Sequence, residues 1–413
     1  MTDADRDALL DRLLRYVRID TQSDPDSPSV PSTAKQLDLS RLLADECRAM
    51  GLEDVSCSHA GVVVATVPGR ASAPAVVFNS HVDTSPETSG ANVRPQVVDY
   101  EGGDIPLPGD PSKVITAADN PELEGLKGTR LVTGDGTTLL GGDDKAGVAI
   151  IMTAADILRR DGGGDHAPVR VVFTVDEEIG RGTEALDVAS LNAVCGYTLD
   201  GGGRDGVDVE TFSADGATVT VTGVNIHPSI GHARLVNATK ILGQFLAALP
   251  ADRLSPETTQ GREGFVHPVT IAGGVAEAKA VLIIRDFDTP KLAEHAQLLR
   301  DIAAEVEAAN PGCRVAVETT PQYRNMADGL KREPRAVAFA LEALESCGLP
   351  PRTGVIRGGT DGSLMTAEGL PTPNLFSGQH TPHSPLEWAS LAEMGDAVRV
   401  VLAIAKRWGR ETK

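Results

Sequence analysis

The 413-residue sequence is poor in aromatic side chains and in positive charge. Phe, Trp and Tyr together make up only 3% of the chain, so a buried core must rest on Val, Leu, Ile and Ala. Lys and Arg number 38 against 58 Asp and Glu, which gives a formal net charge of −20. Because nothing offsets the charge of a phosphate backbone, this balance argues against nucleic-acid binding. It suits a protein that gathers divalent cations.

Cysteine is also scarce, and long apolar runs are missing. The five cysteines are widely spaced and form no CxxC pair, which is typical of free thiols in a reducing compartment. The first residues, "MTDADRDALLDRLLRYV", are charged from the start and lack the apolar core of a signal peptide. No apolar run approaches the ~18 residues that span a membrane. We therefore expect a cytoplasmic protein that does not bind a membrane.

Strand-like and helix-like segments alternate through the first half of the chain. The runs "GVVVATVPG", "PAVVFNSHVD", "VRVVFTVDEE" and "AVCGYTLDGGG" are β-rich and bounded by Gly, Pro or acidic residues. A helical pattern at residues 146–160 lies between them. This alternation predicts an α/β domain with a mainly parallel sheet. Residues 84–138 are Pro/Gly-rich and poorly periodic, so they are either a functional loop or contain elements that the pattern does not reveal.

The character of the sequence changes near residue 212. A strand ("ATVTVTG") is followed by a helix at 233–249, two strands ("HPVTIAGG", "KAVLIIRDFD"), a helix at 290–310 and a strand ("CRVAVETT"). This βαββαβ order is that of the ferredoxin-like split unit. We predict an inserted α+β domain at residues 212–325, between two parts of the first domain at 1–211 and 326–413.

Two acidic motifs follow strand-like or glycine-rich segments. In "SHVD", His81 and Asp83 would face the same way on a strand, so Asp83 can accept the ring N–H of His81 and fix its metal-binding tautomer. In "GGDDKAG", Asp143 and Asp144 precede a helix. Helix capping is the alternative, because a helix N-terminus favours negative charge by about 0.3–1 kcal/mol. One carboxylate would suffice for that, so two of them suggest a cation.

Further candidate ligands lie at later strand ends. "TVDEEIG" carries Glu177 and Glu178, "YTLDGG" carries Asp200, and "SGQHTPHSPLEW" carries His380 and His383. Ligand sites in α/β sheets cluster at the carboxyl ends of the strands, although a solvated acidic loop is the simpler explanation for any one motif. A set of nitrogen and oxygen donors without thiolates suits zinc, cobalt or manganese. Five such side chains exceed the usual mononuclear set and indicate a two-metal site bridged by one carboxylate.

Taken together, these motifs resemble those of a known enzyme family. The stretches "FNSHVDTSPE", "GGDIPL", "DGTTLLGGDDKAGVA", "FTVDEEIGRG", "NIHPSIG", "EGF", "IIRDFD" and "IRGGTDGS" are similar to those of the peptidase T branch of the dizinc M20 metallopeptidases. The resemblance runs almost end to end. It implies a zinc-peptidase-like catalytic domain interrupted by a smaller lid domain, and it allows a homodimer through that lid.

The resemblance implies a role for each motif at the metal site. It gives five metal ligands: His81 and Asp200 on the first ion, Glu178 and His383 on the second, and Asp143 between them. Asp83 would orient the His81 ring by accepting its N–H, without contacting the metal. Glu177 would be the general base. Two Zn²⁺ per subunit are implied, with Co²⁺ or Mn²⁺ as substitutes.

The last ligand motif departs from the family pattern. Related sequences carry a stretch like "GGxNxHGxxE", whereas this chain reads "GQHTPHSPLEW". His383 aligns with the ligand, and the Gly that usually follows it is missing. His380 is an extra histidine and stays an alternative ligand.

The resemblance also implies substrate contacts in and near the inserted domain. His227 in "NIHPSIG" would polarise the scissile carbonyl. Arg285 in "IIRDFD" and Arg357 in "IRGGTDG" would meet a substrate carboxylate, which an arginine can bind through two parallel hydrogen bonds. Asn325 in "YRNM" would make contacts near the hinge.

The implied activity is release of the N-terminal residue from tripeptides. A water bridged by two metals would be the nucleophile, with Glu177 as its base. Two alternatives stay open: another M20 hydrolase, such as a di- or tripeptidase, an aminoacylase, a deacylase or a carboxypeptidase, and an inactive binding protein on the same fold.

Overall fold

The computed structural model describes residues 1–162, 164–204 and 206–412. The helices are α1 (Asp3–Tyr16), α2 (Gln36–Ala49), α3 (Gly142–Arg160), α4 (Ala238–Ala248), α5 (Thr289–Ala309), α6 (Ala327–Leu330), α7 (Arg335–Ser346), α8 (Asp361–Ala367) and α9 (Leu391–Trp408). The first strands are β1 (Glu53–Cys57), β2 (Val63–Val67), β3 (Val76–His81), β4 (Gln96–Tyr100), β5 (Ile105–Pro106), β6 (Val114–Ile115), β7 (Thr129–Thr133), β8 (Val169–Thr174) and β9 (Cys195–Gly202). The later strands are β10 (Val207–Thr211), β11 (Ser213–Thr222), β12 (Phe265–Gly273), β13 (Glu277–Asp286), β14 (Arg314–Tyr323), β15 (Thr353–Ile356), β16 (Asn374–His380) and β17 (Trp388–Ser390). Within these described ranges, no helix has the length and apolar character needed to cross a bilayer.

The chain divides into two compact units. Unit 2 comprises Glu210–Asn325 and the short segment Ile356–Gly359, and unit 1 comprises Met1–Val209, Met326–Val355 and the chain from Thr360 onward. The chain therefore passes between the units four times. The sequence-predicted inserted domain, residues 212–325, does not include the short segment at 356–359.

Unit 1 contains an 11-stranded sheet whose centre is parallel. The main order is β1-β2-β8-β3-β9-β16-β17-β7-β4, and β10 pairs with β15 and β16 beside it. The pairs β8–β3, β3–β9 and β9–β16 are parallel. All six residues of β3 are buried, as expected for a central strand covered on both faces. The predicted α/β fold is confirmed, with antiparallel strands added on both sides of the parallel centre.

Helix α3 lies in the core of unit 1. Its residues from Ala146 to Ala155 are all buried, because the helix packs against α1, α9 and the strands β3 and β16. The core around it consists mainly of Val, Leu, Ile and Ala, as the shortage of aromatic residues requires. The helix therefore has a fixed position, and its N-terminal end carries the "GGDDKAG" motif.

Residues 84–138 contain regular structure that the sequence pattern did not reveal. Four strands, β4 to β7, and a 3₁₀ helix at Pro121–Leu126 lie in this stretch. They enclose a small separate core that includes Leu107, Leu123 and Trp388. Two of these strands, β5 and β6, were missed because they have only two residues each, too few for an alternating pattern to appear.

Unit 2 has the βαββαβ order that its sequence predicts. Strands β11 to β14 form an antiparallel sheet in the order β12-β13-β11-β14, and α4 and α5 pack on it. Side chains along β13 alternate between exposed and buried positions over most of the strand, so one face of the sheet contacts the helices and the other is open. The predicted helix at 233–249 begins later, at Ala238. Before it, Val236 pairs with Val224 in a short β-bridge, and Asn237 caps the helix.

Candidate metal centre

The candidate ligands meet where the parallel strands of unit 1 end. His81 is the last residue of β3, Glu177 and Glu178 begin the 3₁₀ helix after β8, and Asp200 lies in β9. His383 follows the end of β16. These four strands are neighbours in the sheet and run in the same direction. Their carboxyl ends therefore share one edge, which is where ligand sites of α/β sheets lie.

Asp143 lies between the two histidines. Its Oδ1 is 3.2 Å from Nε2 of His81, and its Oδ2 is 3.4 Å from Nε2 of His383. Asp200 Oδ1 is 3.7 Å from His81 Nε2, and Glu178 Oε2 is 2.9 Å from His383 Nε2. Each oxygen of Asp143 thus faces one imidazole that has a further carboxylate beside it. A carboxylate that bridges two cations has this arrangement.

The two aspartates of "GGDDKAG" do not cap α3. The N-cap is Gly141, in a left-handed conformation that glycine adopts easily, and no side chain caps it. Asp143 and Asp144 have non-helical backbone angles and are joined by a cis peptide bond. The buried Asp144 accepts hydrogen bonds from the Ser80 hydroxyl and from the His81 N–H. Neither side chain thus supplies a cap hydrogen bond, although both carboxylates lie in the first turn of α3, where a helix N-terminus favours negative charge.

Asp83 contacts two parts of the site. The His81 ring Nδ1 is 3.1 Å from the backbone carbonyl of Asp83 and 3.4 Å from its carboxylate. The two carboxylate oxygens accept the backbone N–H groups of Glu177 and Glu178 at 3.0 and 3.2 Å. Asp83 is fully buried, so it joins the end of β3 to the segment after β8. Its larger contribution is to the Glu177–Glu178 backbone, which the sequence motif alone did not indicate.

Crowded carboxylates shift the pKa values of the cluster. Burial raises the pKa of Glu178 to about 8 and of Asp200 to about 6, and the charge of Asp143 adds to both shifts. Burial also raises the pKa of Glu177, helped by the charge of Asp200. For His383, burial lowers the pKa, but Asp143 and Glu178 outweigh that effect and raise it to about 11. Negative charge is therefore in excess at this edge of the sheet.

The donor set fits divalent cations. Donor atoms of His81, Asp143 and Glu178 lie within 4.8 Å of one another, and so do those of His81, Asp144 and Asp200. Glu178 Oε1 is buried and has no hydrogen-bond partner in the part of the chain that the structure describes. A buried carboxylate oxygen without a donor is costly unless a cation meets it. Imidazole nitrogens and carboxylate oxygens without thiolates suit zinc, cobalt or manganese.

His380 faces away from this cluster. Its ring stacks on Trp388 with centroids 3.8 Å apart, and its Nε2 is 2.7 Å from Glu393 Oε2. Its Nδ1 is 3.2 Å from Glu122. Both ring nitrogens of His380 thus have carboxylate partners outside the cluster, whereas His383 contacts Asp143 and Glu178. The geometry favours His383 over His380 as the ligand.

Comparisons with known proteins show the family of this chain. The sequence profile of peptidase family M20/M25/M40 matches residues 135–407. A protein named Peptidase T from Geobacillus thermodenitrificans (strain NG80-2) is 42% identical over 407 residues, which cover 98% of this chain and 99% of that protein. The chain belongs to peptidase family M20.

Solved structures of M20 proteins and related enzymes share this fold. A tripeptidase from Staphylococcus aureus superposes with a TM-score of 0.78 at 22% identity, covering 98% of this M20 chain and 99% of the tripeptidase. A Bacillus subtilis protein described as a dinuclear metal binding peptidase from the M20 family has a TM-score of 0.65 at 14% identity, with 98% and 99% coverage. At these identities the likeness concerns the fold.

The predicted carbonyl-polarising residue, His227, lies in unit 2 on an exposed 3₁₀ segment. Its Nδ1 accepts the backbone N–H of Ser229 at 3.3 Å and is 2.7 Å from the Ser229 hydroxyl. A neutral imidazole that accepts at Nδ1 carries its proton on Nε2. His227 is thereby set to donate a hydrogen bond from Nε2.

The predicted carboxylate-binding residues already donate hydrogen bonds within unit 2. Arg357 donates to the carbonyls of Gly261 and Glu263 at 2.8 and 2.9 Å, and its guanidinium lies 5.1 Å from the Phe212 ring centre. Arg285 donates to the carbonyls of Asp215 and Ile284, and stacks over Tyr323.

Asn325 joins segments of unit 2. Its amide Oδ1 accepts the backbone N–H of Thr211, and its Nδ2 donates to the carbonyl of Phe287. In the structure these contacts hold the backbone of unit 2 together at a point where the chain leaves it.

Two buried carboxyl groups near the cluster were missed by the sequence analysis. Asp361 accepts a 2.5 Å hydrogen bond from the Thr174 hydroxyl, and burial raises its pKa to about 7. Glu387 accepts backbone N–H groups from the "GGDDKAG" segment. Asp361 lies inside the quoted motif "IRGGTDGS", and Glu387, four residues after His383, occupies the last position of the family pattern "GGxNxHGxxE", so both had a signal in the sequence.

Proposed function

We propose that this M20 chain is a metal-dependent aminopeptidase that releases the N-terminal residue from tripeptides. The observation that carries the proposal is Asp143, whose two oxygens each face a different histidine, with the half-buried Glu177 beside His81. The likeness to proteins named Peptidase T supports the substrate class. We further propose two Zn²⁺ per subunit, with Co²⁺ or Mn²⁺ as substitutes, held by His81, Asp143, Glu178, Asp200 and His383.

The ions would supply a water whose pKa falls from 15.7 towards ~7. Glu177 would act as the general base for this water, since its Oε2 lies beside the candidate ligands, 3.9 Å from His81 Nε2, and burial raises its pKa. It then gives the proton to the leaving amine. Asp83 holds Glu177 in place through the backbone N–H. His227 donates from Nε2 to the oxygen of the scissile carbonyl, where negative charge develops.

Recognition of the far end of the substrate is the second part of the proposal. Arg357 binds the carboxylate of a tripeptide and so measures its length, with Arg285 and Asn325 beside the peptide. A carboxylate offers Arg357 an opposite charge and two parallel hydrogen bonds, which the neutral carbonyls that it meets in the structure do not. The substrate can therefore displace those carbonyls.

Location and assembly complete the proposal. The five cysteines are free thiols, which supports a reducing cytoplasm. Val269 and Ile271 on the edge strand β12 are 56% and 59% exposed, and Val281 on β13 is 44% exposed. Such exposed apolar side chains on a sheet support a homodimer through unit 2. Sedimentation of the protein should then show a dimer, and Ile271→Lys should shift it towards monomer.

A substrate panel tests the proposed function. The purified protein is assayed with free tripeptides, dipeptides and N-acyl amino acids, before and after removal of metal by a chelator. We expect chelator-sensitive cleavage of tripeptides at the first peptide bond, and two metal ions per chain by elemental analysis. Faster turnover of dipeptides or N-acyl amino acids would assign the chain to another M20 activity. Metal binding without turnover of any substrate would indicate a binding protein.

A further inference from the structure

Glu387 lies behind the segment that carries Asp143. Its side chain is 1% exposed, and it follows His383 by four residues in the connection between β16 and β17. Oε2 accepts the backbone N–H groups of Leu140 and Gly141, each at 2.8 Å. Oε1 accepts the backbone N–H of Asp143 at 2.9 Å. One carboxylate therefore satisfies three N–H groups of a single turn.

The turn needs these acceptors. Gly141 is the left-handed N-cap of α3 and offers no side-chain acceptor, and the next turn is not helical at Asp143. Leu140 and Gly141 are buried, so water cannot serve their N–H groups. A buried N–H without a partner is destabilising. The packing is close as well, because a Cβ on Gly142 would lie 3.1 Å from Glu387 Oε1.

We propose that Glu387 is a positioning residue for the bridging carboxylate. By holding the Asp143 N–H, it fixes the backbone from which the Asp143 side chain presents one oxygen towards His81 and the other towards His383. The inference rests on the proposed metal centre. It assigns to Glu387 no contact with metal or substrate.

Glu387 lies on the same β-hairpin as one candidate ligand, His383, and contacts the backbone of another, Asp143. Residues on either side of the connection are paired across β16 and β17, Gln379 with Ala389 and His380 with Trp388. The same hairpin thus carries His383 as a candidate ligand and Glu387 as the anchor of another. A shift of this hairpin would therefore move His383 and the Asp143 backbone together, and both residues are candidate ligands of the proposed second metal.

The test compares metal affinity in folded variants. Metal-free wild type, Glu387→Gln and Glu46→Gln are titrated with Zn²⁺ in a calorimeter, and folding is checked by circular dichroism. Gln has nearly the same shape as Glu but turns an NH₂ group towards one of the three donors. We expect Glu387→Gln to weaken zinc binding about 10–100-fold, as loss of a group that orients a ligand does. Glu46 on α2 pairs with Arg15 and Tyr16 of α1, so its variant should bind zinc as wild type does.

The outcomes separate the inference from the proposed function. If wild type binds no zinc, the metal centre itself is refuted. If wild type binds two ions and Glu387→Gln binds them equally well, the positioning role is refuted. A second measurement needs no variant: hydrogen exchange in the metal-free wild type should show protected amides at Leu140, Gly141 and Asp143. Exchange at the rate of an exposed loop would overturn the inference even if Glu387→Gln does not fold.

Discussion

The two units differ in how well their polar groups are satisfied. In unit 1, the carboxylates of Asp143, Glu177, Glu178 and Asp200 gather around His81 and His383, and Glu178 Oε1 has no hydrogen-bond partner within the described ranges. In unit 2, Arg357 and Arg285 already donate to backbone carbonyls, and aromatic rings lie beneath them.

The difference follows from what each group would bind. A cluster of buried carboxylates is unfavourable on its own and becomes favourable when cations bind, so metal and fold are coupled in unit 1. Without substrate, Arg357 and Arg285 donate to neutral backbone carbonyls. A substrate carboxylate can replace those carbonyls as the acceptor. Unit 1 should therefore respond strongly to metal and pH, and unit 2 to substrate structure.

The largest effect is expected at Glu177. Glu177→Gln should bind two metal ions but lose about 10²–10⁴-fold in kcat, because the amide cannot accept a proton from water. Elemental analysis and steady-state kinetics with a tripeptide measure the two quantities. Glu178→Gln is the matched control, since it should lose metal as well as activity. Loss of metal from the Glu177 variant would make Glu177 a ligand instead of the base.

Charge excess in unit 1 predicts an unusual pH dependence of the metal-free protein. The folded-state pKa values of Asp200 (about 6) and Glu178 (about 8) lie above their unfolded values, so their contribution to stability is lost as pH rises from about 4 to 8. His383, raised to about 11, acts in the same direction above pH 6.5. For Asp200 alone, two pKa units correspond to about 3 kcal/mol.

Thermal unfolding at pH 5 and pH 8 tests this dependence. The chelated protein should have the lower Tm at pH 8, and added Zn²⁺ should raise Tm more at pH 8 than at pH 5, because metal binding requires deprotonated ligands. Asp200→Asn should reduce the pH dependence of the chelated form. A Tm of the metal-free protein that rises with pH over this range would show that the cluster is not in charge excess.

His383 and His380 provide an internal comparison within one hairpin. His383→Ala should weaken binding of one metal ion at least about 100-fold, because a ligand is removed rather than reoriented. His380→Ala should retain both ions, since His380 pairs with Glu393 and stacks on Trp388. Zinc titration of both variants decides the assignment. If His380→Ala lost a metal ion and His383→Ala kept both, His380 would be the ligand and His383 would not.

Much of unit 1 could be predicted because most of the ligands lie at or just after strand ends. A run such as "AVVFNSH" fixes both the strand and the position of His81 on it, and neighbouring parallel strands then bring the ligands to one edge. The order of strands and helices in unit 2 could be predicted because each of these elements has a local sequence pattern.

Contacts between distant segments could not be predicted. Glu387 accepts N–H groups 244 to 247 residues earlier in the chain, and Arg357 donates to a loop 94 to 98 residues away. Backbone N–H and carbonyl groups occur at nearly every residue, so the sequence does not mark which of them a charged side chain will meet. Short strands such as β5 were missed for a related reason, since pairing with another segment defines them.

The smallest effect is expected at Arg357, where the two roles of its guanidinium can be separated by substrate. The assay compares a free tripeptide with the same tripeptide carrying a C-terminal amide. If Arg357 binds the substrate carboxylate, Arg357→Ala should lower kcat/KM about tenfold for the free acid and leave the amide unchanged, since only the acid offers a charged acceptor. Arg262→Ala is the control, because Arg262 lies between Gly261 and Glu263 in the loop that Arg357 contacts, pairs with Glu210 and stacks over Phe287. It should affect both substrates equally. If Arg357→Ala also lowers both equally, Arg357 serves only to hold the loop at Gly261 and Glu263, and the length of the peptide must be measured elsewhere.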